Sequence, residues 1–163
     1  MLKGPFLLLI ILFSSNIFAQ GNNNTDTKID IQSDAYEMFS RENQSGYILK
    51  HNVRVKNSEI DIEADRAEIL ADQSGTMQSA VFTGTPVRCK TKGLKEQQLD
   101  TTSDEVHYLE DKGIIIFKGH VIIKRENSTF EGPEFVYNLK DKTLNGVERA
   151  GERFHLELTG KKQ

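Results

Sequence analysis

The segment FKGHVII, from Phe117 to Ile123, indicates the fold class, because a looser copy of it, LKHNVRV, runs from Leu49 to Val55. Each copy has a basic residue, a turn-prone pair and then an alternating run rich in β-branched side chains. Equivalent positions lie 68 residues apart, and FTGTPV at 82–87 is a third, partial copy. The constant offset predicts a duplicated unit, and the β-branched alternation predicts that this unit consists of strands.

Apolar and polar residues alternate in most of the chain that surrounds these copies. The segments that predict strands are NVRVK, EIDIEAD, VFTGTPV, GIIIFKGHVIIK, EFVYNL and FHLEL. The turn-prone stretches that separate strands are NQSG, DQSG, EDKG and KDKTLNG. Strands joined by such short connections run antiparallel, since a parallel pair needs a long crossover. The sequence therefore predicts an all-β antiparallel meander of repeated strand units.

Two features of the repeat have alternative interpretations. ADRAEILAD at 64–72 consists of good helix formers, but its equivalent in the second unit, FEGPEFVYNL, contains Gly-Pro and a β-rich run. We therefore predict extended chain in both copies, with a helical turn in the first as the alternative. The pairs Ser33-Asp34 and Ser103-Asp104 recur at similar places in the two units, which favours hydrogen bonding in turns over nucleophile chemistry.

The first 19 residues have the pattern of a cleavable secretory signal peptide. Lys3 is followed by the apolar run FLLLIILF, and Ala19 precedes a polar segment. A retained membrane anchor is the alternative, although the apolar run is short for a bilayer span. The predicted segments are a signal peptide at 1–19, a flexible polar segment at 20–28, a β-domain at 29–158 and a short polar tail at 159–163.

Charge and residue inventory argue against several function classes. The formal charge is −3, and −4 without the predicted signal peptide, which disfavours nucleic acid as a partner. Cys89 is the only cysteine, so no intrachain disulfide forms and a partly buried, inert thiol is expected. The four histidines, at 51, 107, 120 and 155, lack metal-ligand spacing, and no nucleotide-binding motif is present. We predict a protein that is not an enzyme, with no catalytic residue, metal or cofactor.

The repeated segments place apolar side chains on one shared face, because residues two apart in a strand point the same way. With the next equivalent pair included, this face consists of Leu49, Val53, Val55, Ile62, Phe117, Val121, Ile123 and Phe130. Such a face is usually the closed core of a sandwich. Trp is lacking and only about a third of the residues after position 19 are apolar, so an underfilled apolar groove is the alternative.

Several segments, taken in order, resemble the LptA/OstA-like family of lipopolysaccharide transport. These segments are I-x-SD, NVRV, IDIEADRAEIL, VFTGTPV, SDEVHY, and FKGHVII followed by FEGPEFVYNL, and the resemblance spans residues 29–144. It implies an open, twisted antiparallel β-jellyroll in the periplasm, which carries the acyl chains of lipopolysaccharide (its lipid A part) between the inner and outer membranes. It also implies LptC-like and LptD-like partners and a head-to-tail homo-oligomer. The chain departs from the repeat pattern at His51, which stands where the second unit has Gly119.

The resemblance implies that the shared apolar face is a lipid-binding groove. It also implies that the terminal strands are the edges that contact partner proteins. The edge residues expected to meet a partner are Ile29, Ile31, Phe154 and Leu156. An open stack of strands leaves unpaired N–H and C=O groups at both ends, which favours pairing with another chain. The alternative function is a structural or adhesive β-solenoid segment, which assembles by its edges and carries no lipid.

Overall fold

The computed structural model describes residues 29–41, 44–93 and 97–160. The predictions for 1–19 and 20–28 lie outside the described residues, as does most of the predicted tail. In the described part of the chain the ten strands are β1 Asp30–Gln32, β2 Ala35–Arg41, β3 Gln44–Lys56, β4 Ile60–Ala71, β5 Met77–Lys92, β6 Gln98–Leu109, β7 Ile114–Arg125, β8 Ser128–Asn138, β9 Thr143–Gly146 and β10 His155–Leu158. No helix in that part is long and apolar enough to span a membrane.

These strands form one antiparallel sheet. Its order is β1, β3, β4, β5, β6, β7, β8 and β10, with β2 also paired to β3 and β9 to β8. Strands β3 to β8 are neighbours both along the chain and in the sheet, which confirms the predicted meander. The helix-prone segment lies in β4 and is extended, as predicted. Burial of alternate residues such as Ile62, Ala67 and Ile69 outweighs their helix propensity.

A register shift interrupts each ladder from β3 to β8 near the middle of the strands, and such bulges bend a strand. In β3 the shift contains His51 and Asn52, with φ of 60° and 48°. In β7 it contains Gly119 and His120, with φ of 73° and 45°. The repeated segment therefore marks the bend, and His51 adopts the left-handed backbone that Gly119 adopts without a steric cost.

The recurring Ser-Asp pairs stabilise these bends. The Ser33 and Ser103 hydroxyls each donate to the backbone carbonyl two residues ahead, both at 3.1 Å. The carboxylate that follows each serine contacts the bend of the neighbouring strand, at Asn52 Nδ2 (2.6 Å) and at His120 Nδ1 (2.7 Å). The predicted local hydrogen bonding is confirmed, but the second pair lies at the bend inside β6 and not in a turn between strands.

The bends fold the sheet into two halves whose inner faces pack on each other. One buried apolar cluster contains residues from both sides of the bends, for example Leu49 and Val53 of β3 and Phe117 and Val121 of β7. The two layers thus belong to a single continuous sheet, with its first and last strands unpaired on their outer sides in the described chain. The fold is the open antiparallel β-jellyroll that the sequence predicted.

The structure corrects the sequence analysis at both edges of the sheet and at the central strand β6, which is not among the predicted strands. KDKTLNG, interpreted as a connection, contains β9, which pairs with β8 from Phe135 to Asn138. Strand β2 is not among the predicted strands, yet it pairs with β3 over its whole length. Both lie at an edge, where burial imposes less alternation, and Tyr36 and Met38 of β2 are exposed.

Candidate functional site

The candidate site is the apolar interior between the two halves of the sheet. Seven of the eight predicted groove residues are buried there, each 5% exposed or less: Leu49, Val53, Val55, Ile62, Phe117, Val121 and Ile123. Phe130 is half-buried and packs against the same cluster. The intervening side chains Arg54 and Lys124 are exposed. The predicted shared face is confirmed, and its use for lipid stays a prediction.

Cross-strand pairing aligns interior residues into two rows that run across the sheet. What we call the first apolar row consists of Ile31, Val55, Ile62, Cys89, Thr101, Ile123, Phe130 and Leu156, each paired with the next. What we call the second apolar row, beyond the bends, consists of Tyr36, Leu49, Ala67, Phe82, Val106, Phe117 and Phe135. The interior is therefore a continuous apolar strip from one edge of the sheet to the other.

The first apolar row ends in exposed side chains at both edges, whereas the second begins at exposed Tyr36 and ends at buried Phe135. Of the predicted edge residues, Ile31 is 43%, Phe154 43% and Leu156 53% exposed, whereas Ile29 is half-buried against the core. The Phe154 ring contacts Phe135, the last residue of the second apolar row, with ring centroids 5.2 Å apart. Exposed apolar groups at an open sheet edge are typical of contact surfaces.

The N-terminal edge also has residues that the sequence analysis missed. An apolar cavity of about 520 Å³ opens there, and its lining includes Ile31, Tyr36, Tyr47, Leu49 and Ile69. Alternation in AYEMFSR is the signal that could have identified β2 and its exposed Tyr36. The cavity places the start of both apolar rows at the surface.

Opposite the bends, the two halves meet at what we call the mouth. Lys142 Nζ lies 2.5 Å from Glu59 Oε2, and the Tyr137 hydroxyl donates to the Lys92 carbonyl at 2.6 Å. These contacts join the β8–β9 region to the β3–β4 turn and to the end of β5, which are not neighbours in the sheet. The two halves are therefore joined at the mouth by polar contacts of side chains, whereas at the bends they are joined by the continuous backbone of each strand.

A cavity of about 320 Å³ lies at the mouth. Its lining residues are Gly93, Leu99, Arg125, Phe130, Tyr137, Lys142, Thr143, Leu144 and Asn145. The sequence could have identified Arg125, because alternate residues of a strand share a face and Arg125 follows Val121 and Ile123 at the next alternate position of β7. No local pattern identifies Lys142, whose partner Glu59 is 83 residues away.

Cys89, His107 and His120 each have a defined environment in the sheet. Burial raises the pKa of the Cys89 thiol far above its ordinary value, so the group is a protonated, inert thiol. His107 contacts Glu105, and His120 contacts Asp104 at a bend. Among the described residues, no three potential metal ligands cluster.

One bent antiparallel sheet with a continuous apolar interior, two apolar edges and a polar mouth defines an open β-jellyroll. The model of the family described as LptA/(LptD N-terminal domain) LPS transport protein matches residues 30–143. The chain belongs to this family of transport proteins, which confirms the resemblance seen in the sequence. No curated protein matches the chain.

Solved structures support the same fold. The chain is similar to LptH from Pseudomonas aeruginosa, described as the LptA homologous periplasmic component of the conserved lipopolysaccharide transport device. The match has a TM-score of 0.70 and 14% identity, and it covers 83% of this chain and 97% of LptH. At this identity the likeness establishes the fold.

Proposed function

We propose that this protein is a periplasmic bridge component of lipopolysaccharide transport and that its interior carries the acyl chains of lipid A. Family membership supports the transport role, and the description of LptH supports the periplasmic location. The observation that carries the proposal is the pair of apolar rows, which reach both edges of the sheet. A carrier needs such a strip, because acyl chains must stay out of water along the whole path.

The energetics favour acyl chains over water in this interior. Each methylene moved out of water contributes about 0.8 kcal/mol, so acyl chains that enter compensate for the polar contacts at the mouth and replace the apolar contacts that the two halves lose on separating. The inner side chains of the two halves are buried in one cluster, so chains enter by separating the two halves. Separation begins at the mouth, where Glu59–Lys142 and Tyr137–Lys92 are contacts that water can replace.

The edges are proposed to join this protein to its neighbours. Strand pairing between an edge of one copy and the opposite edge of another would align their apolar rows. The exposed Ile31 and Tyr36 at one edge, and Phe154 and Leu156 at the other, supply the apolar contacts. The proposed partners are LptC-like and LptD-like proteins and further copies of this chain, arranged head to tail. Catalysis has no part in this proposal.

Mass spectrometry of co-purified lipid tests the proposal. The chain is expressed in a lipopolysaccharide-producing bacterium, extracted gently from the periplasm and analysed for bound lipid. We expect lipopolysaccharide with the native chain and much less with Phe117→Asp, since an unpaired carboxylate in an apolar interior costs several kcal/mol. Lys118→Asp, one residue away on the outer face, is the matched control and should retain lipid.

A native chain that retains no lipid while still forming edge-to-edge oligomers would contradict the carrier function. That result would support the structural or adhesive β-solenoid instead. Circular dichroism of each variant verifies that the sheet is intact, because a loss of lipid is informative only in folded protein.

A further inference from the structure

Arg125 places a cation at the end of the apolar interior. It follows Phe117, Val121 and Ile123 on the inner face of β7 and is half-buried in the lining of the mouth cavity. Its Nε donates to Gln97 Oε1 at 2.8 Å, and no carboxylate of the described residues forms an ion pair with it. The terminal nitrogens of the guanidinium remain as donors toward an anion.

Lys142 brings a second cation to the same cavity. Its Nζ pairs with Glu59, and its backbone φ of 54° holds it in the turn between β8 and β9. Tyr137, whose hydroxyl donates to the Lys92 carbonyl, lines the same cavity. Burial raises the pKa of Tyr137, Glu59 raises it further and Arg125 opposes the shift, which is consistent with their closeness around that hydroxyl.

Two buried hydroxyls lie on β5 and β6, the strands that end beside this cavity. Thr91 and Thr101 are 2% and 3% exposed, and their Oγ1 atoms have no hydrogen-bond partner in the described chain. Thr91 pairs with Leu99, which lines the mouth cavity, and Thr101 pairs with Cys89. An unpartnered buried hydroxyl is costly, so a ligand that brings acceptor oxygens here gains hydrogen bonds.

We propose that the mouth cavity binds the phosphorylated headgroup of the lipid, with Arg125 and Lys142 holding a phosphate. The inference rests on the proposed carrier function and adds the headgroup site to it. Moving inward, the site presents two cations and then the first apolar row, in which Thr101 carries a hydroxyl without a partner in the described chain. This order matches an amphiphile in which phosphate, acyl linkages and hydrocarbon follow one another. Arg125 binds the phosphate through two parallel hydrogen bonds. The phosphate also replaces Glu59 as the ion-pair partner of Lys142.

Binding of purified lipid A, with and without its phosphates, tests the site. Dissociation constants are measured by displacement of a fluorescent fatty-acid probe. Arg125→Gln is expected to weaken binding of phosphorylated lipid A roughly tenfold, the value of one charge-assisted hydrogen-bond pair, and to change binding of dephosphorylated lipid A little. Arg125→Lys keeps the charge and should lose less. Lys124→Gln, the next residue on the outer face, is the matched control and should bind like the native chain.

Each outcome separates the two proposals. If the native chain binds neither lipid, the carrier function fails. If it binds both lipids and Arg125→Gln keeps the native preference for phosphate, only the headgroup site is overturned. Equal losses in Arg125→Gln and Lys124→Gln would also overturn it. Inorganic phosphate at millimolar concentration should compete weakly, and competition as strong as that of phosphorylated lipid A would assign the site to free phosphate.

Discussion

Thr101 is the one polar side chain in the first apolar row, between Cys89 and Ile123. Its buried hydroxyl lacks a partner in the described chain, which costs about 1–3 kcal/mol relative to an apolar group of the same shape. A residue that weakens the folded state in the middle of an apolar strip is consistent with a role toward the cargo.

Replacement of Thr101 by Val is expected to raise the free energy of unfolding by about 1 kcal/mol, because the variant buries no unpaired hydroxyl. Chemical denaturation followed by circular dichroism measures the change. Thr102→Val, on the outer face of the same strand, is the control and should have little effect. A destabilised Thr101→Val protein would mean that the hydroxyl has a partner.

Asp61 makes stability depend on pH. Arg54 donates to it at 3.0 and 2.7 Å, and Lys56 Nζ lies 3.3 Å away. The Arg54 hydrogen bonds outweigh burial and hold the pKa of Asp61 below its ordinary value of 3.8. A lowered pKa stabilises the folded state above the ordinary value, and this contribution is lost as the pH falls through the lowered value.

Asp61→Asn should therefore be less stable than the native chain at neutral pH, and the difference should shrink as the pH falls below 3.8. Urea denaturation at a series of pH values measures the difference. A difference that is constant down to the acid transition of the native chain would show that Asp61 acts through packing and not through its charge.

At the scale of the strand, the bend explains why the segment FKGHVII of β7 has glycine at position 119. Gly119 has a φ of 73°, and a Cβ at this position would lie 2.3 Å from Asp104 Oδ2. The left-handed backbone and the close carboxylate both require glycine here. In the first unit His51 has the left-handed backbone, which is strained for a residue with a side chain. The pairing of β3 with a strand on each side offsets this strain.

Gly119→Ala and Gly113→Ala form a matched pair. Both glycines have positive φ, but a Cβ at Gly113 meets no atom within 4 Å. Gly113→Ala should cost about 1 kcal/mol for the left-handed backbone alone. Gly119→Ala should cost more, since Asp104 must also move away from the bend. Thermal unfolding of the two proteins provides the comparison, and equal melting temperatures would contradict this account of the bend.

The sequence predicted most of the inner strands, because two-sided burial imposes alternation on them. Strand β6 is the exception, since the polar residues Thr101 and Ser103 occupy its buried face and hide the alternation. Strands β4 and β7 bury every second residue on each side of the bend, and the 68-residue offset added a second constraint on Leu49 and Phe117. Strand β2 pairs with one neighbour and its Tyr36 is exposed, so burial imposes a weaker alternation of apolar and polar residues on it. The mouth was beyond prediction, since the Glu59–Lys142 contact depends on how the bent sheet closes and not on local spacing.

For the whole molecule, the continuous rows predict that assembly and transport use the same edges. Leu156→Asp should weaken self-association strongly and change the stability of the monomer little, because that side chain is 53% exposed. Ile122→Asp removes an apolar side chain from the outer sheet face and is the control. Sedimentation velocity over a range of concentrations measures association. Unchanged association of Leu156→Asp would contradict the head-to-tail arrangement.

Site-specific photo-crosslinking to lipopolysaccharide in cells tests the central claim most directly, because it reports which face of the sheet meets the cargo. Benzoylphenylalanine is placed at Phe117 or Ile123 of the inner face and at Lys118 or Lys124 of the outer face. We predict lipid adducts at the two inner positions and almost none at the two outer ones, because neighbouring residues of a strand point to opposite faces. Adducts at the outer positions with silent inner positions, or equal labelling of both faces, would contradict transport through the interior.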